Sequence, residues 1–168
     1  LGPFSMSNRA ENKMNNRKDQ VPNWYLDVSL LNKYWGSDRV YHHTAPVNMN
    51  FGIREALRLL AVEGLEASWD RHRKNAESLW NSLEKIGLEL QVEEELRLPT
   101  LTTVKIPEGI NGKAFTSHLL SNFGVEIGGG LGDLAGKVWR IGLMGYNSTS
   151  ANVDKIINIF ETELPKFR

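Results

Sequence analysis

Three places in the chain combine residue types and spacings that could do chemistry. Arg140 stands in Val138-Trp139-Arg140-Ile141-Gly142, a run that is otherwise apolar. A guanidinium in such a setting needs an anionic partner, because an unpaired buried charge is very costly. Its planar fork suits a carboxylate held by two parallel hydrogen bonds. An internal ion pair with Glu126 or Asp133 is the competing use of the same group.

Tyr41-His42-His43-Thr44 is the second place. A phenol and a hydroxyl three residues apart can point at one oxyanion, such as a phosphate. The two histidines invite a metal reading, but adjacent histidines point apart in extended chain and no third ligand is evident. The third place is Gly128-Gly129-Gly130-Leu131-Gly132, which has the flavour of a phosphate cradle. Its spacing is neither G-x-G-x-x-G nor a P-loop, so a tight turn needing positive φ is the preferred reading. His72 and His118 fall in amphipathic stretches and read as ordinary helix residues. The acidic run Glu93 to Glu95 reads as a solvated turn.

These residues need elements to hold them. The chain has 168 residues, 40% hydrophobic and 24% charged, which fits one ordinary globular domain and rules out collagen-like repeats and disorder. Twenty Lys and Arg balance twenty Asp and Glu, so no global field draws in nucleic acid or an anionic membrane surface. The absence of cysteine excludes disulfides, thiolate catalysis and thiolate metal sites. No apolar run approaches the roughly 20 residues of a membrane span. The opening Leu1-Gly2-Pro3 lacks an initiator methionine and reads as the start of an excised piece.

Ser7 caps an expected helix from Asn8 to Asn16, and apolar spacing predicts another over Trp24 to Tyr34. The aromatics Trp24, Tyr25, Tyr34 and Trp35 read either as local core or as a surface covered by another part. Val47 to Val62 and Leu65 to Ile86 carry helical stripes, separated by Gly64 and stopped by Gly87. Strands are expected at Leu88–Val92, Leu101–Ile106, Val125–Ile127 and Val138–Leu143, with helices at Asn111–Phe123 and after Ser148-Thr149-Ser150. The order implies an α+β layer, helices on one face of a mainly antiparallel sheet. The expected division is residues 1–45, then a domain over 46–168.

The ordered set Trp24-Tyr25-Leu26-Asp27, Tyr34-Trp35-Gly36, Tyr41-His42-His43-Thr44, Gly64-Leu65-Glu66, Arg97-Leu98-Pro99-Thr100, Gly129-Gly130-Leu131-Gly132 and Arg140-Ile141-Gly142-Leu143-Met144-Gly145 is specific as a set. It resembles the C-terminal part of the alanine–glyoxylate (serine–pyruvate) aminotransferase family, class V aminotransferases with the insect 3-hydroxykynurenine transaminases as near relatives. The resemblance covers essentially the whole chain.

The resemblance implies the C-terminal small domain of a fold-type I pyridoxal-phosphate enzyme over 46–168. Residues 1–45 would then be the tail of the large cofactor domain and a connecting helix. It implies a homodimer using pyridoxal 5′-phosphate, small amino-acid and keto-acid substrates, and a peroxisomal or mitochondrial home. Arg140 matches the family arginine that binds the substrate α-carboxylate. Tyr41 and Thr44 match residues that reach the cofactor phosphate of the other subunit. Ser7-Asn8-Arg9-Ala10 resembles a family segment just after the Schiff-base lysine, so the isolated chain is expected to be inactive. Two other readings stand beside this one: a non-enzymatic α+β module binding a small anion through Arg140 and the glycine loop, and a metal protein using His42 and His43.

Overall fold

A computed structural model describes residues 1–167. The chain divides into two compact units, Leu1–Leu59 and Leu60–Arg168.

The first unit is helical. Helix α1 (Asn8–Asn15) starts where Ser7 Oγ accepts from the Ala10 amide at 3.3 Å. The stretch expected as one helix from Trp24 is two pieces. A single 3₁₀ turn covers Trp24–Leu26, and helix α2 runs Val28–Trp35. Asp27 makes the break: its Oδ1 accepts from the Ser29 amide at 2.9 Å, so it caps α2 instead of lying inside its first turn. Helix α3 (Val47–Glu63), within which the two units divide, has no buried residue. Its stripe residues Phe51 and Leu57 are exposed, as are Trp24, Tyr25 and Trp35. The aromatic set is therefore not a local core.

The second unit carries the core. Helix α4 (Leu65–Lys85) begins after Gly64 and ends before Gly87, both at positive φ. Helix α5 (Gly112–Phe123) is capped by Asn111, whose Oδ1 accepts from Ala114, and is stopped by Gly124 in the left-handed conformation. Helix α6 (Ser150–Glu163) is capped by Thr149 Oγ1, which accepts from Asn152.

Three strands, β1 (Leu101–Lys105), β2 (Gly128–Gly129) and β3 (Val138–Gly142), form one antiparallel sheet in the order β1-β3-β2. The α+β class and the antiparallel sheet are as the sequence implied. Two expected strands are not. Leu88–Val92 reduces to a single bridge, Leu90 with Val104. Val125–Ile127 is not a strand; the pairing falls on the two glycines that follow it. Glycine pairs at a sheet edge without showing the β-branched composition by which strands are read.

Leu79 and Leu83 of α4, Phe115 and Leu119 of α5, and Val153, Ile156 and Phe160 of α6 close over Val104, Trp139 and Ile141 of the sheet in one buried cluster. Phe115, Trp139 and Phe160 meet ring to ring at 5.1 to 5.7 Å.

Candidate functional site

Two places, one in each unit, hold the predicted site residues. In the second unit the pleat decides where Arg140 points. Trp139 and Ile141 are buried in the core, so Arg140 between them faces the other side of the sheet. Its register partners are Thr103 on β1 and Gly128 on β2, which share that face. The side chain is half-buried.

Among the described residues no carboxylate pairs with it: Glu126 and Asp133 are both exposed, and neither makes an ion pair. The internal salt bridge weighed as a competing use is absent. Arg140 Nε instead donates to the carbonyl oxygen of Gly129 at 2.7 Å. The guanidinium lies so close over Gly128 that a Cβ there would be 3.3 Å from Nη2. The glycine run thus has a use that its spacing did not reveal. Gly128 and Gly129 form a short strand with an open floor for the guanidinium, and only Gly132 in the run needs positive φ. A neutral carbonyl orients the fork without cancelling its charge. The Nη edge keeps its capacity for two parallel bonds to an oxyanion.

The loop after β3 is held from α4. Arg71 pairs with Glu63 through Nε at 2.5 Å and Nη2 at 2.9 Å, and its Nη1 donates to the carbonyls of Gly145 at 2.9 Å and Ser148 at 2.6 Å. This bond to Arg71, more than simple charge attraction, holds the Glu63 carboxyl below the usual glutamate range. His72 accepts from the Gly145 amide through Nε2 at 2.9 Å while Nδ1 donates to the Ser68 carbonyl at 2.7 Å. His72 is therefore a clasp on a loop, not an ordinary helix residue. His118 is likewise engaged, bonded through Nε2 to Glu163 at 2.8 Å. No pattern in the sequence signals these partners, which lie 73 and 45 residues away.

In the first unit, Tyr41 and Thr44 are exposed, and their hydroxyls are 3.1 Å apart. The expectation that His42 and His43 point apart fails: their Nδ1 atoms are 2.9 Å from one another. His42 Nε2 reaches the carbonyl of Trp24 at 3.0 Å. Among the described residues no group of three His, Cys, Asp or Glu side chains could hold a metal ion. A cavity of about 190 Å³ beside Tyr41 and His42 is lined also by Trp24, Leu30, Lys33 and Val40. The two hydroxyls share a hydrogen bond in which either can donate; once it is broken, both could donate to neighbouring oxygens of one phosphate monoester, such as that of pyridoxal 5′-phosphate.

No family model matches the chain. The alanine–glyoxylate aminotransferase of Callithrix jacchus is 48% identical over 157 residues, covering 91% of this chain and 38% of the relative. A solved alanine–glyoxylate aminotransferase from Nostoc sp. superposes with a TM-score of 0.91 at 60% identity, covering 96% of this chain and 43% of that one. The chain belongs to the alanine–glyoxylate aminotransferase family. Its fold corresponds to the C-terminal portion of those structures, and it spans about two fifths of the relatives' length, 38% in one case and 43% in the other. The (S)-ureidoglycine–glyoxylate transaminase of Bacillus subtilis is also similar, 42% identical over 129 residues, which is 77% of this chain and 31% of that protein. The names of these three share glyoxylate, and the third differs from the other two in its amino donor.

Proposed function

We propose that this chain is the part of a pyridoxal-phosphate-dependent aminotransferase that captures the substrate carboxylate and lends phosphate contacts to a neighbouring subunit. The amino group would pass from alanine or serine to glyoxylate or pyruvate. The observation that carries this reading is Arg140: a half-buried guanidinium fixed by the Gly129 carbonyl, with no described carboxylate neutralising it. Both the donor and the acceptor in such an exchange carry an α-carboxylate of the same shape. One fork can therefore hold each in turn, placing the carbon that gives or takes the amino group at the same point. Pyridoxal 5′-phosphate, when bound, supplies the electron sink for that carbon. Tyr41 and Thr44 donate to its phosphate across a homodimer.

The exposed apolar side chains support the same reading. Phe51, Leu57 and Trp35 stand in water at 65%, 58% and 61% exposure, a state that association with further protein relieves. Residues 1–45 would belong to the cofactor domain and its connecting helix, and residues 46–168 to the small domain. A peroxisomal or mitochondrial home goes with the family reading. No described helix is long and apolar enough to cross a membrane.

The test is Arg140→Lys in the full-length enzyme, which keeps the charge but loses the fork. KM for alanine and glyoxylate should rise by roughly a hundredfold, the loss of one strong bidentate contact, while cofactor stays bound. An unchanged KM would remove Arg140 from the carboxylate site.

A further inference from the structure

We propose that His42 and His43 form a hydrogen-bonded pair that positions the phosphate-binding hydroxyls of Tyr41 and Thr44, so that cofactor retention depends on the bond between the two rings. The inference rests on the reading of Tyr41 and Thr44 given above. Residues 41–44 belong to no helix or strand, and among the described residues none of them donates a backbone hydrogen bond. Side chains must therefore fix the segment. His42 Nε2 faces a carbonyl oxygen, that of Trp24, so it carries a hydrogen. The Nδ1 of the neutral ring is then an acceptor, and the atom facing it at 2.9 Å, His43 Nδ1, must donate. The two rings are wedged by aromatics: Trp24 lies 4.6 Å from His42, and Tyr25 and Tyr34 lie 5.4 and 5.2 Å from His43. The turn at 24–26 and helix α2 thereby grip the segment between its two hydroxyls.

The experiment follows release of pyridoxal 5′-phosphate from the full-length protein by absorbance after dilution at neutral pH. Three variants are compared. His43→Phe keeps a ring and removes the donor, and release at neutral pH should be about tenfold faster, the cost of orphaning one acceptor. His43→Asn keeps an N–H where Nδ1 stood and should match the wild type. Tyr41→Phe removes a proposed phosphate contact and should also release faster. If Tyr41→Phe is fast but His43→Phe releases at the wild-type rate, or His43→Asn is as loose as His43→Phe, the inference about the pair fails alone. If Tyr41→Phe changes nothing, the phosphate reading beneath it fails. Should His43→Phe not fold, His42→Phe, which removes the other half of the bond, decides by the same readout: faster release supports the pair and the wild-type rate overturns it.

Discussion

Arg140 and Gly129 are joined by a 2.7 Å hydrogen bond from the guanidinium Nε to a backbone carbonyl, and the two residues sit on neighbouring antiparallel strands. The bond aims the fork without neutralising it. A carboxylate partner at the same place would have aimed it equally well and left it unable to bind an acid. The glycine run is what makes this approach possible, because the guanidinium lies almost in contact with the floor at Gly128.

The same run gives a prediction at Gly130. A Cβ there would sit 1.9 Å from the Leu134 carbonyl oxygen and 2.9 Å from Val138 Cγ2, with backbone rather than a movable side chain in the way. Gly130→Ala should lower unfolding stability by roughly 3 kcal/mol, a large share of the total for a domain of this size. Denaturant titration checks it; a midpoint equal to wild type would mean that the loop repacks freely.

Arg71 should matter more than its acidic partner. Glu63→Gln removes the charge of one partner at a half-exposed site, where such pairs contribute little. Arg71→Met also orphans the carbonyls of Gly145 and Ser148. Thermal melts should rank Arg71→Met clearly below Glu63→Gln, and equal melting temperatures would show that the loop does not depend on this clasp.

Acid stability should report on Glu163. Its carboxyl is held below the ordinary 4.5 first by the bond from Lys166 and next by that from His118, against the opposing effect of burial. A carboxyl lowered in the folded state stabilises it above the unfolded pKa, and the contribution disappears as pH falls through the folded value. The stability gap between wild type and Glu163→Gln should therefore narrow below about pH 4.5. A gap that stays constant through that range in pH-dependent urea melts would contradict the assignment.

Much of the architecture was legible in the chain because helix signals are local. Asn111 and Thr149 cap where a short polar side chain precedes an apolar stripe, Ser7 caps a polar helix, and Gly87 and Gly124 stop helices where positive φ is required. Asp27 misled because a cap inside a continuous apolar spacing looks like one more polar position. The family segments were legible too, and with them the residue types at 41, 44 and 140.

Sequence alone determined the helices apart from the start of α2, the α+β class, and a guanidinium and two hydroxyls that could meet anions. Tertiary structure decided what those groups face. A strand's partner lies far along the chain, so only the assembled sheet could put its third strand on Gly128 and Gly129 and turn Arg140 away from the core. Hydrogen-bond partners are set by distance in space, which is why the contacts between His42 and His43, and from His72 to Gly145, emerge only once the chain is folded.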